Sequence, residues 1–266
     1  MAVYFSGQKL FGDDFTPERL MQWYRDEEDA YANLARTSGA PYIYTYHVIN
    51  QRLGFRHLPK RRWQHALGIG SARGDEFIPI AGLLDKVTIL EPGRDFVQSA
   101  IAGLPVTYVA PDPLGTIPFA DNTFDLTLCL HCLHHVANVS YVVRELARCL
   151  RPGGYIILRE PISSMADWRK PRPGLTPHER GIPAPLFLKM VHEAGLVVKA
   201  QRFGFSPIVR VLWPKILRTP PYSSKVATLL DDVLCHLTCF RMKYYRTSFL
   251  DRLKPGVVSI VAMKPA

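Results

Sequence analysis

Short apolar runs alternate with helix-length amphipathic segments along most of the chain from residue 63 onward. Apolar runs of about four to eight residues, bounded by turn-forming residues, are typical of buried strands. The pattern predicts strands over 65–69, 86–90, 106–109, 124–130, 155–159, 196–200 and 257–263, and helices over 75–84, 94–102, 139–150 and 183–194. Strands separated by helices are typical of a parallel sheet with helices on both faces. We therefore predict an α/β fold with a seven-stranded, mostly parallel sheet.

Two stretches fall outside this alternation. A helix is predicted over 14–36, with Pro17 in its first turn, and a second helical stretch ends at Leu53. A long insertion before the last strand contains a predicted helix over 224–240 with an apolar side, and it serves either as a substrate lid or as a packing appendage. The predicted division is an N-terminal helical cap (1–62), a core (63–205), a helical insertion (206–253) and the final strand of the core sheet (254–266).

Charge is unevenly distributed over the 266 residues. The net charge is +10, and residues 200–266 hold 11 Lys and Arg against 3 Asp, which gives this last quarter a charge of +8. A basic surface can bind nucleic acid, anionic lipid or an acidic substrate, or it can serve solubility alone. No run approaches the ~18 apolar residues of a spanning helix, and the first residues lack a secretory signal. We expect a cytoplasmic protein whose five cysteines are reduced.

Glycines follow the first predicted strand, in the segment Ala66-Leu-Gly68-Ile-Gly70. Glycines at a strand-to-helix turn let the backbone approach a ligand, and the next helix N-terminus favours anionic groups. The second strand ends at Glu91, where a carboxylate can accept both hydroxyls of a ribose. A nicotinamide dinucleotide also fits, although the spacing is GxGxxxG and Arg73 stands where the third glycine is wanted. The segment indicates a nucleoside-containing cofactor and modestly disfavours a dinucleotide.

Two further segments decide between these cofactors. Residues 112–136 read DPLGTIPFADNTFDLTLCLHCLHHV, and residues 150–156 read LRPGGYI. With the glycine segment, they closely resemble class I S-adenosylmethionine-dependent methyltransferases of the methyltransferase type 11 kind. The resemblance covers about residues 63–195 and the final strand. It implies a Rossmann-like fold and S-adenosyl-L-methionine as the cofactor.

The resemblance also implies a set of cofactor-binding residues. The glycines lie under the methionine portion, Glu91 binds the ribose, Asp112 accepts from the adenine amino group, and the end of the fourth strand lies beside the sulfonium. The full set is Gly68, Ile69, Gly70, Glu91, Pro92, Asp112, Pro113, Cys129 and Leu130. Ala66 departs from the family, which usually has an acid there, so we expect His65 or an N-terminal residue to substitute in holding the cofactor amino group. The link from Asp112 to Pro118 is one residue longer than usual.

Methyl transfer to a hydroxyl needs a group that removes its proton, located beyond the C-terminal edge of the sheet. His131 and His134 follow the fourth strand and His178 follows the fifth, so these three are the candidate catalytic bases, although the His134-His135 pair can instead pack a helix. Glu160 is a further carboxylate candidate. Aromatic residues that could line the pocket, or merely pack, are Tyr31, Tyr42, Tyr44, Tyr46 and His47.

A zinc site is the alternative interpretation of Cys129, His131 and Cys132, with Cys235 and Cys239 as a second pair. Cys129 lies inside an apolar strand, where neighbouring side chains point to opposite faces. We therefore expect no metal.

Three acceptor classes remain open. The first is a small molecule or glycan, methylated on oxygen. The second is a lipid-linked or membrane-held acceptor. Residues 207–218 mix apolar, aromatic and basic side chains as interfacial segments do. This mixture predicts peripheral membrane contact through the basic insertion. The third is a binding protein that kept the fold and lost catalysis. The sequence disfavours nucleic acid as a partner, since no Asn-Pro-Pro-Tyr type motif follows the fourth strand.

Overall fold

The computed structural model describes residues 1–37, 43–170 and 172–266, and its centre is a mixed eight-stranded sheet of order β3-β4-β2-β1-β5-β6-β8-β7. Strands β4, β2, β1, β5 and β6 are parallel, whereas β8 is antiparallel to both β6 and β7. The α/β class and the mostly parallel sheet are confirmed, with one strand more than the seven predicted. The strands are β1 (Ala66–Ile69), β2 (Val87–Leu90), β3 (Ala100–Ile101), β4 (Leu104–Val109), β5 (Phe124–Leu130), β6 (Leu150–Pro161), β7 (Val197–Gly204) and β8 (Val257–Met263).

The additional strand, β3, replaces a predicted helix, and the helix prediction over 94–102 is wrong. Arg94–Phe96 form a short 3₁₀ helix, after which β3 pairs antiparallel with β4 as a hairpin. The turn lies at Ala102 and Gly103, whose φ angles of 48° and 81° are incompatible with a continuing helix. Pairing also buries Ile101 in the core, so burial outweighs the local helical preference.

Helical segments cover both faces of the sheet. On one face, α4 (Val139–Cys149) and α5 (Ala184–Glu193) contribute their apolar sides to the larger core cluster. On the other face, Phe77 packs into a second cluster from Asp75–Leu83. That segment is a 3₁₀ helix rather than the predicted α-helix, and it contains Pro79, which cannot donate a backbone hydrogen bond.

The N-terminal segment forms α1 (Ala2–Phe5), α2 (Pro17–Thr37) and α3 (His47–Leu53). A fully buried arginine, Arg180, joins it to the core. Its guanidinium donates to the carbonyl oxygens of Phe11, His134 and Ala137 at 2.8, 3.1 and 3.0 Å. These bonds fix the N-terminal segment over the loop that follows β5.

The insertion between β7 and β8 contains α6 (Pro207–Leu217), α7 (Lys225–Thr238) and α8 (Phe249–Arg252). The carboxylate of Asp231, on the inner side of α7, accepts backbone N–H groups of Phe205 and Ser206 and so anchors the start of α6. The apolar side of α7 faces solvent, with each of its large side chains 46–62% exposed. These side chains are Val226, Leu229, Leu230, Val233 and Leu237. Within the described ranges, no helix combines the length and apolarity needed to cross a membrane.

Candidate functional site

Two adjoining cavities open at the C-terminal edge of the parallel strands, and Gly70 and His131 line both of them. The first cavity has a volume of about 200 Å³ and lies beyond β1, β2 and β4. The second has a volume of about 280 Å³ and lies beyond β5 and β6. Open α/β sheets bind ligands at this edge, so one elongated ligand can extend past Gly70 from one cavity into the other.

The loop after β1 requires glycine for steric reasons. Gly70 has φ of +58°, and a Cβ added there would lie 2.5 Å from the Cys132 sulfur. A Cβ at Gly68 would collide with Ser71 and lie 2.9 Å from the Phe77 ring. Gly70 therefore faces the cavities, whereas Gly68 allows the loop to pack against its own helix.

Glu91 forms the floor of the first cavity at the end of β2. The carboxylate is buried and accepts the backbone N–H of Ala72 at 2.9 Å and that of Gly93 at 3.0 Å. Burial raises the pKa of this carboxyl, and the two N–H donors oppose that shift. Glu91 lines the cavity, and each of its carboxylate oxygens keeps a further lone pair, an arrangement that suits two hydroxyl donors.

Asp112 closes the far side of the first cavity. One of its carboxylate oxygens accepts the N–H of Leu114 at 2.9 Å, which holds the loop after β4 in a turn. Gly115, with φ of +85°, continues this turn against Val142. The predicted residues Ile69, Pro92 and Pro113 also line this cavity.

Helix α2 covers the first cavity. The sequence predicted an N-terminal helical cap but not which of its residues line the site. Its lining residues Trp23, Tyr24 and Glu27 face the strand ends. The Trp23 indole donates to the carbonyl of His135 at 2.6 Å, and Glu27 lies 2.7 Å from the ring of the same histidine. The helix is thus bonded to the loop after β5.

The second cavity is lined by aromatic and charged side chains. Tyr44 and Tyr46, two of the five aromatic candidates, line it together with Phe205. Two buried charged residues, Glu76 and Arg159, complete its wall and were not predicted. Of the other aromatic candidates, His47 is not among the described lining residues, the side chain of Tyr31 is not described, and Tyr42 lies outside the described residues.

His131 occupies the junction between the two cavities. Its φ is +61°, and its N–H donates to the Arg159 carbonyl at 2.7 Å. The ring stacks on Phe205 at 5.1 Å, and its Nε2 is buried without a partner in the described structure. Burial, reinforced by the Arg159 charge, holds the pKa of His131 well below its usual range. The ring is therefore neutral, and in the tautomer protonated at Nδ1 its Nε2 is a proton acceptor.

His134 has a different environment, held between two carboxylates. Its Nδ1 lies 2.7 Å from Glu160 and its Nε2 lies 3.5 Å from Glu179. Burial alone would lower its pKa, but hydrogen bonds to Glu160 and Glu179 raise it to about 9. Glu160 also accepts the backbone N–H groups of Cys132 and Leu133. Both ring nitrogens of His134 and both oxygens of Glu160 are thus engaged in holding the loop after β5.

His178 is bonded to α2. Its Nε2 lies 2.7 Å from the Asp26 carboxylate, and its ring stacks on Trp23 at 4.4 Å. Neither cavity counts it among the lining residues described. Of the three candidate bases, only His131 reaches the cavities.

The resemblance implies that Cys129 and Leu130 lie beside the sulfonium, but only one of the two lines a cavity. Leu130 lines the second cavity. Cys129 is fully buried in β5, and burial raises the pKa of its thiol well above the usual value. Its side chain packs in the core cluster beneath the sheet edge.

Comparison with known proteins agrees with this geometry. Residues 67–158, which carry the glycine loop, Glu91, Asp112 and the end of β5, match the family model described as a methyltransferase domain. This segment is therefore similar to the methyltransferase domains of known proteins. The 27-O-demethylrifamycin SV methyltransferase of Amycolatopsis mediterranei is 29% identical over 154 residues, which cover 55% of this chain and 52% of that protein.

Solved structures extend the likeness beyond the methyltransferase domain. The [4+2]-cyclase SpnF matches with a TM-score of 0.57 and 16% identity, over 93% of this chain and 97% of that one. An S-adenosylmethionine-dependent methyltransferase from Mesorhizobium loti matches with a TM-score of 0.51 and 16% identity, over 78% and 94%. At these identities the likeness shows the Rossmann-like fold alone. The chain spans about half the length of the curated relatives it matches.

Proposed function

We propose that this protein is an S-adenosylmethionine-dependent methyltransferase that methylates oxygen on a small molecule or glycan. The observation that carries the proposal is the junction at His131. There, a cavity with a carboxylate suited to a ribose meets a second cavity lined by aromatic and charged groups. Methyl transfer requires such a meeting point, because donor and acceptor must lie in line.

The residues of the first cavity fit the nucleoside part of the cofactor. Glu91 has lone pairs for the ribose hydroxyls, and Asp112 has one carboxylate oxygen that receives no hydrogen bond from the described residues. Leu90, Ile117 and Val136 give this cavity apolar walls that suit a purine ring. The match of residues 67–158 to the methyltransferase domain family supports the same assignment.

When bound, the cofactor supplies a methyl group that is already activated on a positively charged sulfur. The protein then has to exclude water, align the acceptor and accept its proton. We assign the proton-accepting role to Nε2 of His131, because it is neutral, unpartnered and located between the cavities. A lowered pKa makes it a weak base in the ground state. It suits an acceptor whose proton becomes acidic only as the carbon–oxygen bond forms.

A membrane-held acceptor is a second candidate, favoured by the exposed apolar sides of α6 and α7. Val211, Leu212 and Ile216 on α6 are 46–72% exposed, in addition to the solvent-facing side of α7. Residues 206–253 hold eight Lys and Arg against three Asp. Asp231 is buried, and Asp232 is paired with a cation. Asp251 pairs with Lys243, which leaves the segment with a net positive charge. Apolar side chains beside such a charge suit an anionic bilayer, whereas a second copy with the same charge would be repelled.

The test of the main proposal is methyl transfer from labelled S-adenosylmethionine to a panel of hydroxylated small molecules and oligosaccharides. We expect product with the unmodified protein and a strong loss with His131→Ala, while Glu193→Gln, on the exposed side of α5, keeps full activity. A protein that binds the cofactor but methylates none of the panel would contradict the choice of acceptor class. This outcome has to be tested because SpnF has a similar fold and is a cyclase, so the fold alone does not establish methyl transfer.

The test of the second candidate is flotation with vesicles of neutral or anionic lipid. We expect retention on anionic vesicles only, and release on Val233→Asp in the centre of the α7 face. Flotation that is absent, or equal for both proteins, would contradict membrane contact.

A further inference from the structure

The second cavity is lined by one buried carboxylate and one buried guanidinium, together with the less buried Arg73 and Asp75. Glu76 is 5% exposed and Arg159 is 2% exposed, and both line the cavity wall. No ion pair among the described residues includes either of them. Among the described residues, the guanidinium lies 5.6 Å from the Phe205 ring, and its Nε is enclosed without an acceptor.

Buried charges without partners are costly, and proteins keep them where a ligand completes the site. Burial lowers the pKa of Arg159. It also raises the pKa of Glu76 to about 7. The two charges stabilise each other, but for both groups the effect of burial on the pKa is larger than this attraction. A ligand that carries the complementary charges would complete the compensation of both groups.

The two charges have opposite signs and face the same cavity, which restricts the ligand to groups that carry both a positive and a negative charge. A carboxylate recognises an ammonium, and a guanidinium recognises a carboxylate through paired donors. One ligand group that carries both is an α-amino acid. The proposed cofactor has such a group at the end opposite its ribose, and the cavities join at Gly70, between Glu91 and the charged pair.

We propose that Glu76 and Arg159 bind the amino-acid end of the cofactor, Glu76 its ammonium group and Arg159 its carboxylate. This inference rests on the proposed cofactor. It explains how the chain binds the cofactor without an acid at position 66. Ala66 is fully buried in β1, and Glu76, in the first turn after the glycine loop, takes over the role of that acid.

The experiment compares two ligands that differ only at this end. S-adenosylhomocysteine carries the amino-acid group, whereas 5′-methylthioadenosine retains the nucleoside and the sulfur without it. Binding of both is measured by calorimetry for the unmodified protein, Arg159→Met, Glu76→Gln and the matched control Arg202→Gln, an arginine on β7 outside the cavity lining. We expect each cavity variant to lose about 10- to 100-fold in affinity for S-adenosylhomocysteine and to bind 5′-methylthioadenosine unchanged.

The outcomes separate this inference from the proposed function. Equal weakening of both ligands would mean that the charged pair only supports the fold, and unchanged binding of S-adenosylhomocysteine would mean that another group holds the amino acid; either result overturns the inference. Failure of the unmodified protein to bind either ligand would instead overturn the proposed function. If Arg159→Met does not fold, the isosteric Glu76→Gln carries the same comparison.

Discussion

Replacing Glu91 by glutamine removes the charge from the proposed ribose site and changes the side chain very little. In the unmodified protein, the carboxylate already accepts two backbone N–H groups at 2.9 and 3.0 Å. Two ribose hydroxyls would therefore share the remaining lone pairs of a charged acceptor. Hydrogen bonds to a charged group contribute about 1.5–3 kcal/mol each.

Glutamine retains one acceptor oxygen, and its amide nitrogen must face either a backbone N–H or a ribose hydroxyl. We expect Glu91→Gln to weaken S-adenosylhomocysteine by about 3 kcal/mol, roughly 100-fold in dissociation constant. Calorimetry measures this directly, with Glu193→Gln as the control because that carboxylate is exposed on α5. The thermal unfolding temperature of each variant verifies that the site is folded. An affinity within threefold of the unmodified protein would refute the ribose assignment.

Four further predictions concern the site and its supports. Gly70→Ala should lower the free energy of unfolding by about 2–4 kcal/mol in urea titrations, because it adds left-handed strain and a contact with Cys132; a neutral result would contradict the tight loop. Affinity for S-adenosylhomocysteine should fall as pH drops from 7.5 to 5.5, since Glu76, with a pKa of about 7 beside Asp75 and Arg159, becomes protonated; Glu76→Gln should flatten this profile. The free energy of unfolding should decline as pH rises from about 6.5 to 9, because the raised pKa of His134 stabilises the fold only while the ring is charged; a profile that stays level would refute the ion-pair account. In the insertion, Asp231→Asn should reduce stability by about 1–3 kcal/mol, since an amide cannot accept both buried N–H donors at full strength; an unchanged urea midpoint would contradict its anchoring role.

Sequence patterning was sufficient for the parts of the fold where local and tertiary preferences agree. The apolar runs gave β5 and β8 with the bounds that the structure has, and the glycine spacing located the loop at Gly70. Patterning failed over 94–102, because the hairpin of β3 with β4 depends on burial of Ile101, which a local reading cannot assess.

Some residues of the candidate site could likewise be predicted from the sequence, and others could not. Glu91 directly follows β2 and Asp112 lies three residues after β4, so their place at the sheet edge was predictable. Glu76 and Arg159 come from segments more than 80 residues apart along the chain, and only the fold brings them to one cavity. An acid in the first turn after the glycine loop was a usable signal for Glu76. The partners that engage His134 lie on β6 and on the loop before α5, and no pattern near His134 indicates them.

The solvent-facing side of α7 shows a third kind of limit. Its apolar periodicity correctly predicted a helix with one apolar side, and an apolar side is usually a buried one. Here the opposite side is buried instead, through Ala227, Asp231 and Cys235. Only the structure reveals that the apolar side is exposed to solvent.

Binding of S-adenosylhomocysteine to the unmodified full chain, measured by calorimetry beside NAD, tests the central claim most directly. The geometry of Glu91, Gly70 and the charged pair predicts one molecule of S-adenosylhomocysteine bound per chain and no heat with NAD. Absence of heat with S-adenosylhomocysteine, or binding of NAD in its place, would contradict the account.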